Sequence, residues 1–285
     1  MLARGTRRSG NSDRPARWRR TRTLPLAALS ALLAARSLAA GQNLTIAAAS
    51  DLQAALPTIA ARFEKDTGAR VGLTFGSSGN FTTQIRNGAP FDVFLSADTD
   101  YPRQLEREGL AEPGSFYEYA TGRLVLWTRS DSGVDVRRGL RVLTDSRVRR
   151  VAIANPAHAP YGRAAVAALR HEGIDRQVRA KFVLGENISQ AAQFVQSGNA
   201  DVGVLALSLA LAPALESAGT YFEIPAALYP PIKQAAVVVA RSPQKALARQ
   251  FIDLLKSPET MGTLQSYGFG VPGTSSPGMN KSGRR

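Results

Sequence analysis

The chain has 285 residues, no cysteine and two histidines, and 44% of its residues are hydrophobic. Its net charge of +14 would suit a nucleic-acid-binding protein if the charge were spread over the folded surface. Residues 1–40, however, contain nine arginines and one aspartate, and the last ten residues contain three more basic side chains. The charge that remains between these ends is too small for a phosphate backbone, so we expect no nucleic-acid partner.

Residues 1–40 predict an export signal. Arginines from Arg4 to Arg22 precede an apolar stretch, residues 24–40, which ends in small residues suited to a signal peptidase. Arg36 interrupts this stretch, and its length falls short of the roughly 20 residues that a membrane-spanning helix needs. Cleavage near residue 40 is therefore favoured over an uncleaved membrane anchor. We expect a periplasmic or extracytoplasmic protein that is stabilised without disulfides.

Short apolar runs alternate with helical patterns from residue 44 to residue 267, which predicts α/β units with mainly parallel sheets. Apolar side chains at Leu52, Leu56, Ile59 and Phe63 predict one face of a helix that ends at Gly68. Strands are predicted at residues 44–49, 71–75, 92–96, 123–128, 151–154, 181–184, 201–206 and 235–240. Further helices are predicted at residues 81–88, 164–170, 189–196 and 247–255.

Eight strands in some 245 residues exceed the usual size of a single core, which predicts two lobes. The alternation of strands and helices breaks at residues 118–122 and again at the proline-rich residues 225–231. If the chain crosses between lobes at both places, the first lobe is discontinuous. It then comprises residues 41–121 plus 234–275, and the second lobe comprises residues 122–233. Residues 276–285 are predicted to form a disordered basic tail.

Motifs for catalysis are incomplete in this chain. Without cysteine, and with only His158 and His171, the sequence cannot form a cysteine-based zinc site or a clustered two-histidine metal motif. Residues 76–80 fail the nucleophile-elbow pattern at Asn80, and no glycine-rich phosphate-binding motif follows a strand. We therefore predict that the protein is not an enzyme and has no cofactor. A secreted hydrolase is the alternative from a different class.

Four predicted strands instead end in small polar residues that open a helix, at residues 50–51, 76–79, 160–162 and 186–188. Each such junction presents unpaired backbone N–H groups and the positive end of a helix dipole. Two junctions fall in each predicted lobe. If the lobes face one another, the four helix ends would form a cage of donors for a small oxyanion.

Each junction also has a purely structural interpretation. Residues 50–53 have the pattern of a capping box, and residues 187–190 resemble one. Ser77 and Ser78 suit a turn, and Tyr161 suits a packing aromatic. His158 is expected to be a loop residue rather than a ligand. Asp92 and Asp98 are expected in turns or lobe packing.

Several motifs in order resemble one family. AAASDLQ at 47–53, FGSSG at 75–79 and GAPFDVFLSAD at 88–98 resemble the first lobe of the periplasmic molybdate-binding proteins of ABC importers. NPAHAPYG at 155–162 and YGF at 267–269 fit the same family. The resemblance implies a two-lobe periplasmic-binding-protein fold of type II, with molybdate or tungstate between the lobes. It also implies a membrane permease as partner, and we expect a monomer.

The resemblance also implies the ligand-binding residues. Ser50 and Ser78 would donate from the first lobe through hydroxyl and backbone groups, and Tyr161 and Ile188 would donate backbone N–H groups from the second. No side chain would coordinate molybdenum directly, because the metal is bound only as its oxyanion.

Two positions depart from the family pattern. Asp51 stands where members often have another polar residue, and its carboxylate would repel a dianion, so we expect only its N–H to contribute. Ala206 stands where some members place a tyrosine whose hydroxyl reaches the anion. We therefore assign that hydroxyl role to Tyr161.

The ligand itself has alternatives. A site without an acceptor leaves the proton of hydrogen phosphate unpaired, at a cost of about 1–3 kcal/mol. Sulfate carries no such proton, so the size of the cavity would have to distinguish it from molybdate or tungstate. Sulfate or phosphate binding therefore remains an alternative to molybdate or tungstate. An effector domain of a transcription regulator would need an N-terminal helix-turn-helix, whereas residues 1–40 predict a signal peptide.

Overall fold

The computed structural model describes residues 43–273. The predicted signal peptide at residues 1–40 and the predicted tail at residues 276–285 lie outside the described residues. Within the described part of the chain, no helix is long and apolar enough to cross a membrane.

Strands and helices alternate along residues 43–273. The strands are β1 (Asn43–Ala49), β2 (Arg70–Gly76), β3 (Val93–Ser96), β4 (Tyr117–Gly122), β5 (Leu124–Arg129), β6 (Val151–Ala154), β7 (Phe182–Gly185), β8 (Val202–Ala206), β9 (Gly219–Glu223) and β10 (Ile232–Val238). The helices are α1 (Leu56–Thr67), α2 (Ser78–Arg86), α3 (Asp100–Arg107), α4 (Pro160–His171), α5 (Asp175–Val178), α6 (Ile188–Gln196), α7 (Leu207–Ala210), α8 (Pro213–Glu216), α9 (Lys245–Leu255) and α10 (Pro258–Ser266). Short 3-10 segments lie at Ser50–Leu52, Val136–Thr144, Arg179–Lys181 and Ala226–Leu228.

The strands form two five-stranded sheets, in the orders β2-β1-β3-β10-β4 and β7-β6-β8-β5-β9. In the first sheet, β1 is parallel to β2 and β3, whereas β10 is antiparallel to β3 and β4. In the second, β6 is parallel to β7 and β8, whereas β5 is antiparallel to β8 and β9. Each sheet is thus mixed rather than mainly parallel. We call the first sheet with its flanking helices the first lobe, and the second sheet with its helices the second lobe.

All eight predicted strands are present, but the sequence did not indicate β4 and β9. Both lie at the edge of a sheet, where a strand has one neighbour and needs fewer apolar side chains. These two strands supply two of the antiparallel pairings, which explains why the sheets are less parallel than predicted. The predicted lobe crossings at 121/122 and 233/234 fall close to the ends of β4 and β10, and the boundaries themselves stay a prediction.

The first predicted helix begins later than its apolar pattern indicated. Ser50–Leu52 forms a separate 3-10 turn, and α1 begins at Leu56. It ends at Gly68, as predicted, because Gly68 adopts a φ of 73° that favours glycine. The short turn at Ser50 places the first polar junction directly at the end of β1.

The parallel strands define the edge of each sheet at which a ligand is expected to bind. Because β1, β2 and β3 run in one direction, their carboxyl ends lie at one edge of the first sheet. The carboxyl ends of β6, β7 and β8 share an edge of the second sheet in the same way. Ligands of open α/β sheets bind outside this edge. Buried apolar clusters hold each sheet to its helices, and one of them contains the edge-to-face pair of Phe63 and Phe251, whose ring centroids lie 5.2 Å apart.

We expect Phe251→Ala to lower the free energy of unfolding by about 3–5 kcal/mol, because the ring is fully buried and its loss leaves a cavity beside Phe63. Urea denaturation measures the change. Arg62→Ala is the control, since Arg62 forms only exposed ion pairs and should cost less than about 1 kcal/mol. Equal losses in the two variants would contradict this account of the core.

Candidate functional site

The polar junctions of the two lobes meet around one small cavity. Residues that line it include all five positions predicted to bind a ligand, namely Ser50, Asp51, Ser78, Tyr161 and Ile188. The remaining lining residues are Ala49, Gly76, Ser77, Ala97, Ala159, Pro160 and Asn187. None of these described lining residues is a lysine or arginine, so the helix ends and N–H groups are the positively polarised groups of the lining.

The two serine hydroxyls are oriented by backbone N–H groups. Ser78 Oγ accepts a hydrogen bond from the N–H of Ala97 at 2.9 Å, and Ser50 Oγ accepts one from the N–H of Ser189 at 3.3 Å. Because each oxygen is already an acceptor, its own proton is left to donate. A ligand with acceptor oxygens would therefore be matched by both serines.

The capping-box interpretation is wrong for Ser50 and holds in part for Asn187. Ser50 makes no side-chain cap, and Gln53 Oε1 instead accepts from Ser189 Oγ at 2.5 Å. Asn187 Oδ1 caps α6 by accepting from the N–H of Gln190 at 3.0 Å. The partners of Ser50 and Gln53 lie in the second lobe, so no local sequence pattern could have identified them.

Asp51 is the centre of a buried hydrogen-bond cluster. Its side chain is fully buried, and its Oδ2 accepts from Tyr161 Oη at 2.9 Å and from Gln234 Nε2 at 2.5 Å. Its backbone carbonyl accepts from Ser208 Oγ at 2.7 Å. The other carboxyl oxygen, Oδ1, has no hydrogen-bond partner among the described residues. Tyr161 and Ser208 belong to the second lobe, so this cluster joins the two lobes.

Sequence patterns did not reveal Gln234 or the part played by the Asp51 side chain. Gln234 is fully buried in β10, where its neighbours are the apolar residues Ala235–Val238. A polar residue inside an otherwise apolar strand is the signal that could have found it, because buried polar groups are nearly always hydrogen-bonded.

Burial raises the pKa of Asp51 to about 6, because removal from water disfavours the charged form. Hydrogen bonding from Gln234, from Tyr161 and from the backbone of Asp51 and Leu52 lowers the pKa and offsets only part of this effect. Burial, together with the neighbouring Asp51, raises the pKa of the Tyr161 hydroxyl well above its usual value. Tyr161 therefore keeps its proton, which it donates to Asp51, and its backbone N–H is the donor that remains for a ligand.

Further contacts between the lobes surround the cavity. The N–H of Gly79 donates to the carbonyl of His158 at 2.9 Å, and Ser77 Oγ lies 2.8 Å from His158 Nδ1. Arg163 Nη2 donates to Asp98 Oδ2 at 2.5 Å, so Asp98 takes part in lobe packing as expected. His158 lies in a loop as expected, but it also connects the lobes. The lobes are thus closed on each other at this site.

Asp92 and Ala206 lie away from the cavity lining. Asp92 accepts from the N–H of Thr45 and from Ser242 Oγ, which is a packing role within the first lobe. Ala206 is fully buried at the end of β8. In the described part of the chain, no group of three His, Asp or Glu side chains could hold a metal ion.

The chain belongs to the bacterial extracellular solute-binding proteins, since the sequence profile of that family matches residues 44–270. It is 40% identical over 240 residues to the molybdate-binding protein ModA of Azotobacter vinelandii, covering 84% of this chain and 94% of the relative. It is 41% identical over 231 residues to ModA of Rhodobacter capsulatus, covering 81% and 89%.

A solved structure supports the same relationship. The Azotobacter vinelandii periplasmic molybdate-binding protein superposes with a TM-score of 0.76 and 37% identity, over 80% of this chain and 99% of that one. The resemblance inferred from the sequence motifs is therefore confirmed, and so is the fold of a two-lobe periplasmic binding protein.

We expect the free energy of unfolding to depend on pH through the titration of Asp51. Because the folded protein keeps this proton up to about pH 6 and the unfolded chain only up to about pH 4, Asp51 makes unfolding easier as pH rises through this window. Between about pH 4.5 and pH 7, Asp51 should lower the free energy of unfolding of the wild type by on the order of 2 kcal/mol, as measured by urea denaturation. Asp51→Asn should lack this decrease. The exposed control Asp253→Asn should retain it. The same pH dependence in wild type and Asp51→Asn would contradict the assignment.

Proposed function

We propose that this protein captures molybdate or tungstate between its two lobes and delivers the anion to the membrane permease of an ABC importer. The observation that carries the proposal is the convergence of Ser50, Asp51, Ser78, Tyr161 and Ile188 on one cavity between the lobes. The molybdate-binding relatives match nearly the full length of the described chain.

The donor set suits a small, fully ionised oxyanion. Ser50 and Ser78 each have a hydroxyl proton free to donate, and Tyr161 and Ile188 lie in the first turns of α4 and α6. Hydrogen bonds to charged acceptors are about twice as strong as those between neutral groups. Fixed dipoles in a buried site can thus replace the hydration shell of the anion without a cationic side chain.

Closure of the lobes connects binding to transport. The cavity is lined from both lobes, so an anion that contacts both stabilises the closed arrangement over an open one. In our proposal the permease recognises the closed form. The contacts of Gly79 and Ser77 with His158, and of Arg163 with Asp98, belong to this form.

Other parts of the proposal rest on the sequence. The protein acts as a binding protein rather than an enzyme, without a cofactor or nucleic acid, and as a monomer. It works outside the cytoplasm after removal of the predicted signal peptide. We place the division between the lobes near 121/122 and 233/234; β4 ends at Gly122 and β10 begins at Ile232, so the first sheet extends one and two residues beyond these positions. Sulfate or phosphate is the alternative ligand, and secreted hydrolysis is the alternative from another class.

Calorimetric titration with molybdate, tungstate, sulfate and phosphate tests the ligand. Ser50→Ala and Ser78→Ala should each weaken molybdate and tungstate binding by about 1–3 kcal/mol, because a buried anion oxygen loses its donor. The exposed Ser266→Ala, at the end of α10, should bind as wild type does. Absence of binding heat with both molybdate and tungstate would contradict the proposal. A turnover activity abolished by Ser78→Ala at unchanged anion affinity would favour a hydrolase.

Gly79→Ala tests closure. A Cβ at Gly79 would lie 2.8 Å from the carbonyl oxygen of His158 in the other lobe, so we expect the lobes to be held apart. Affinity should fall at least about tenfold, the equivalent of 1.4 kcal/mol. Small-angle scattering should show less compaction on adding molybdate. Gly72→Ala on β2 is the control, because its nearest neighbour is 4.0 Å away. Wild-type affinity in Gly79→Ala would argue against a closed binding state.

A further inference from the structure

Asp51 lines the proposed anion site and carries a buried carboxyl group. The side chain is fully buried, Oδ2 accepts hydrogen bonds from Tyr161 and Gln234, and Oδ1 has no partner among the described residues. A site built to hold a dianion would gain nothing from a second negative charge at this position. The protonation state of this one side chain therefore decides whether the cavity attracts or repels the ligand.

We propose that Asp51 takes up one proton when the anion binds, so that the oxyanion is held beside a neutral carboxylic acid that carries its proton on Oδ1. This inference rests on the proposed function and adds a regulation of the same site by pH. The step is a simple proton transfer from solvent to the carboxylate, with no covalent bond to the ligand.

The proton belongs on Oδ1 because the surrounding hydrogen bonds orient the group. Tyr119 Oη donates to Gln234 Oε1 at 2.8 Å, which turns the Nε2 of Gln234 towards Asp51. Tyr161 Oη donates to the same carboxyl oxygen, Oδ2. With two donors on Oδ2, the oxygen that has room for a proton is Oδ1.

Among the described residues, none of the side chains that hydrogen-bond to Asp51 is a cation. The groups that face Asp51 from the elements packed around it are neutral: Tyr161 on α4, Gln234 on β10, Tyr119 on β4 and Ser208 on α7. Near the cluster, the Arg163 guanidinium pairs with the carboxylate of Asp98, and neither lines the cavity. An ionised Asp51 would thus face the dianion without any compensating charge.

The direction of the effect follows from the titration of Asp51. Burial already raises its pKa to about 6, and a neighbouring dianion raises the pKa further because it disfavours a second charge. Between these two pKa values the complex holds one more proton than the free protein. Affinity therefore rises as pH falls through that interval, by up to about tenfold per pH unit.

A protonated Asp51 also preserves selectivity against hydrogen phosphate. The sequence predicts a cavity made of donors alone, whereas in our proposal an ionised Asp51 would supply an acceptor for the proton of that anion. A carboxylic acid at the same position donates instead. Proton uptake thus keeps the cavity matched to an anion that carries no proton.

The test is calorimetric titration with molybdate and tungstate from about pH 6 to 8.5, repeated in buffers of different ionisation enthalpy to count protons. We expect wild type to take up nearly one proton per anion at about pH 7.5 and to lose affinity as pH rises. Asp51→Asn, which mimics the neutral acid, should take up none and show a flat pH profile. Asp253→Asn, on an exposed side chain, should behave as wild type does.

The outcomes separate this inference from the proposed function. Anion binding by wild type without proton uptake, and with the pH profile of Asp51→Asn, would overturn the inference and leave the function intact. No binding by wild type at any pH would instead remove the function. Hydrogen phosphate binding that Asp51→Asn abolishes would show an ionised acceptor and also overturn the inference.

Tyr161→Phe provides a second variant if Asp51→Asn does not fold. It removes one donor to the Asp51 carboxylate, so the pKa of Asp51 should rise and the midpoint of the affinity profile should move to higher pH. An unmoved midpoint in a folded Tyr161→Phe protein would contradict the role of Asp51.

Discussion

The proposed function requires a doubly charged anion to be held by groups that carry no positive charge, and the rest of this structure depends on that constraint. The lining residues of the cavity include no lysine or arginine, so attraction has to come from serine hydroxyls and from the N–H groups of helix ends. Such dipoles are weak one at a time and act only when several point at one place. The two sheets are arranged so that the carboxyl ends of their parallel strands supply them from opposite sides.

The hydrogen bonds of Asp51 link the electrostatics of the cavity to the contact between the two lobes. Tyr161 and Ser208 reach Asp51 from the second lobe, and Gln234 reaches it from β10 of the first. The same contacts that hold the lobes together bury the carboxyl group and raise its pKa. In our proposal, closure and protonation are therefore coupled through one side chain, so that an anion site can contain an aspartate without repelling its ligand.

Local patterns predicted much of the fold and the positions of the site. Apolar runs located eight strands, because a buried strand needs a continuous apolar sequence, and small polar residues after them marked the junctions that line the cavity. The edge strands β4 and β9 were missed because their pairing partners, β10 and β5, were needed to define them. Ser50 has the sequence pattern of a helix cap, but in the structure its hydroxyl oxygen accepts from the N–H of Ser189 in the second lobe.

The sequence by itself determined the class of protein, the two-lobe α/β organisation and five of the residues that line the cavity, because these depend on short segments and their order. Only the tertiary structure decided what those residues do to one another. Tyr161 and Gln234 lie 110 and 183 positions after Asp51 in the chain, yet all three share one hydrogen-bond cluster. The pKa of Asp51 depends on that burial and on those donors, which no local stretch of sequence contains.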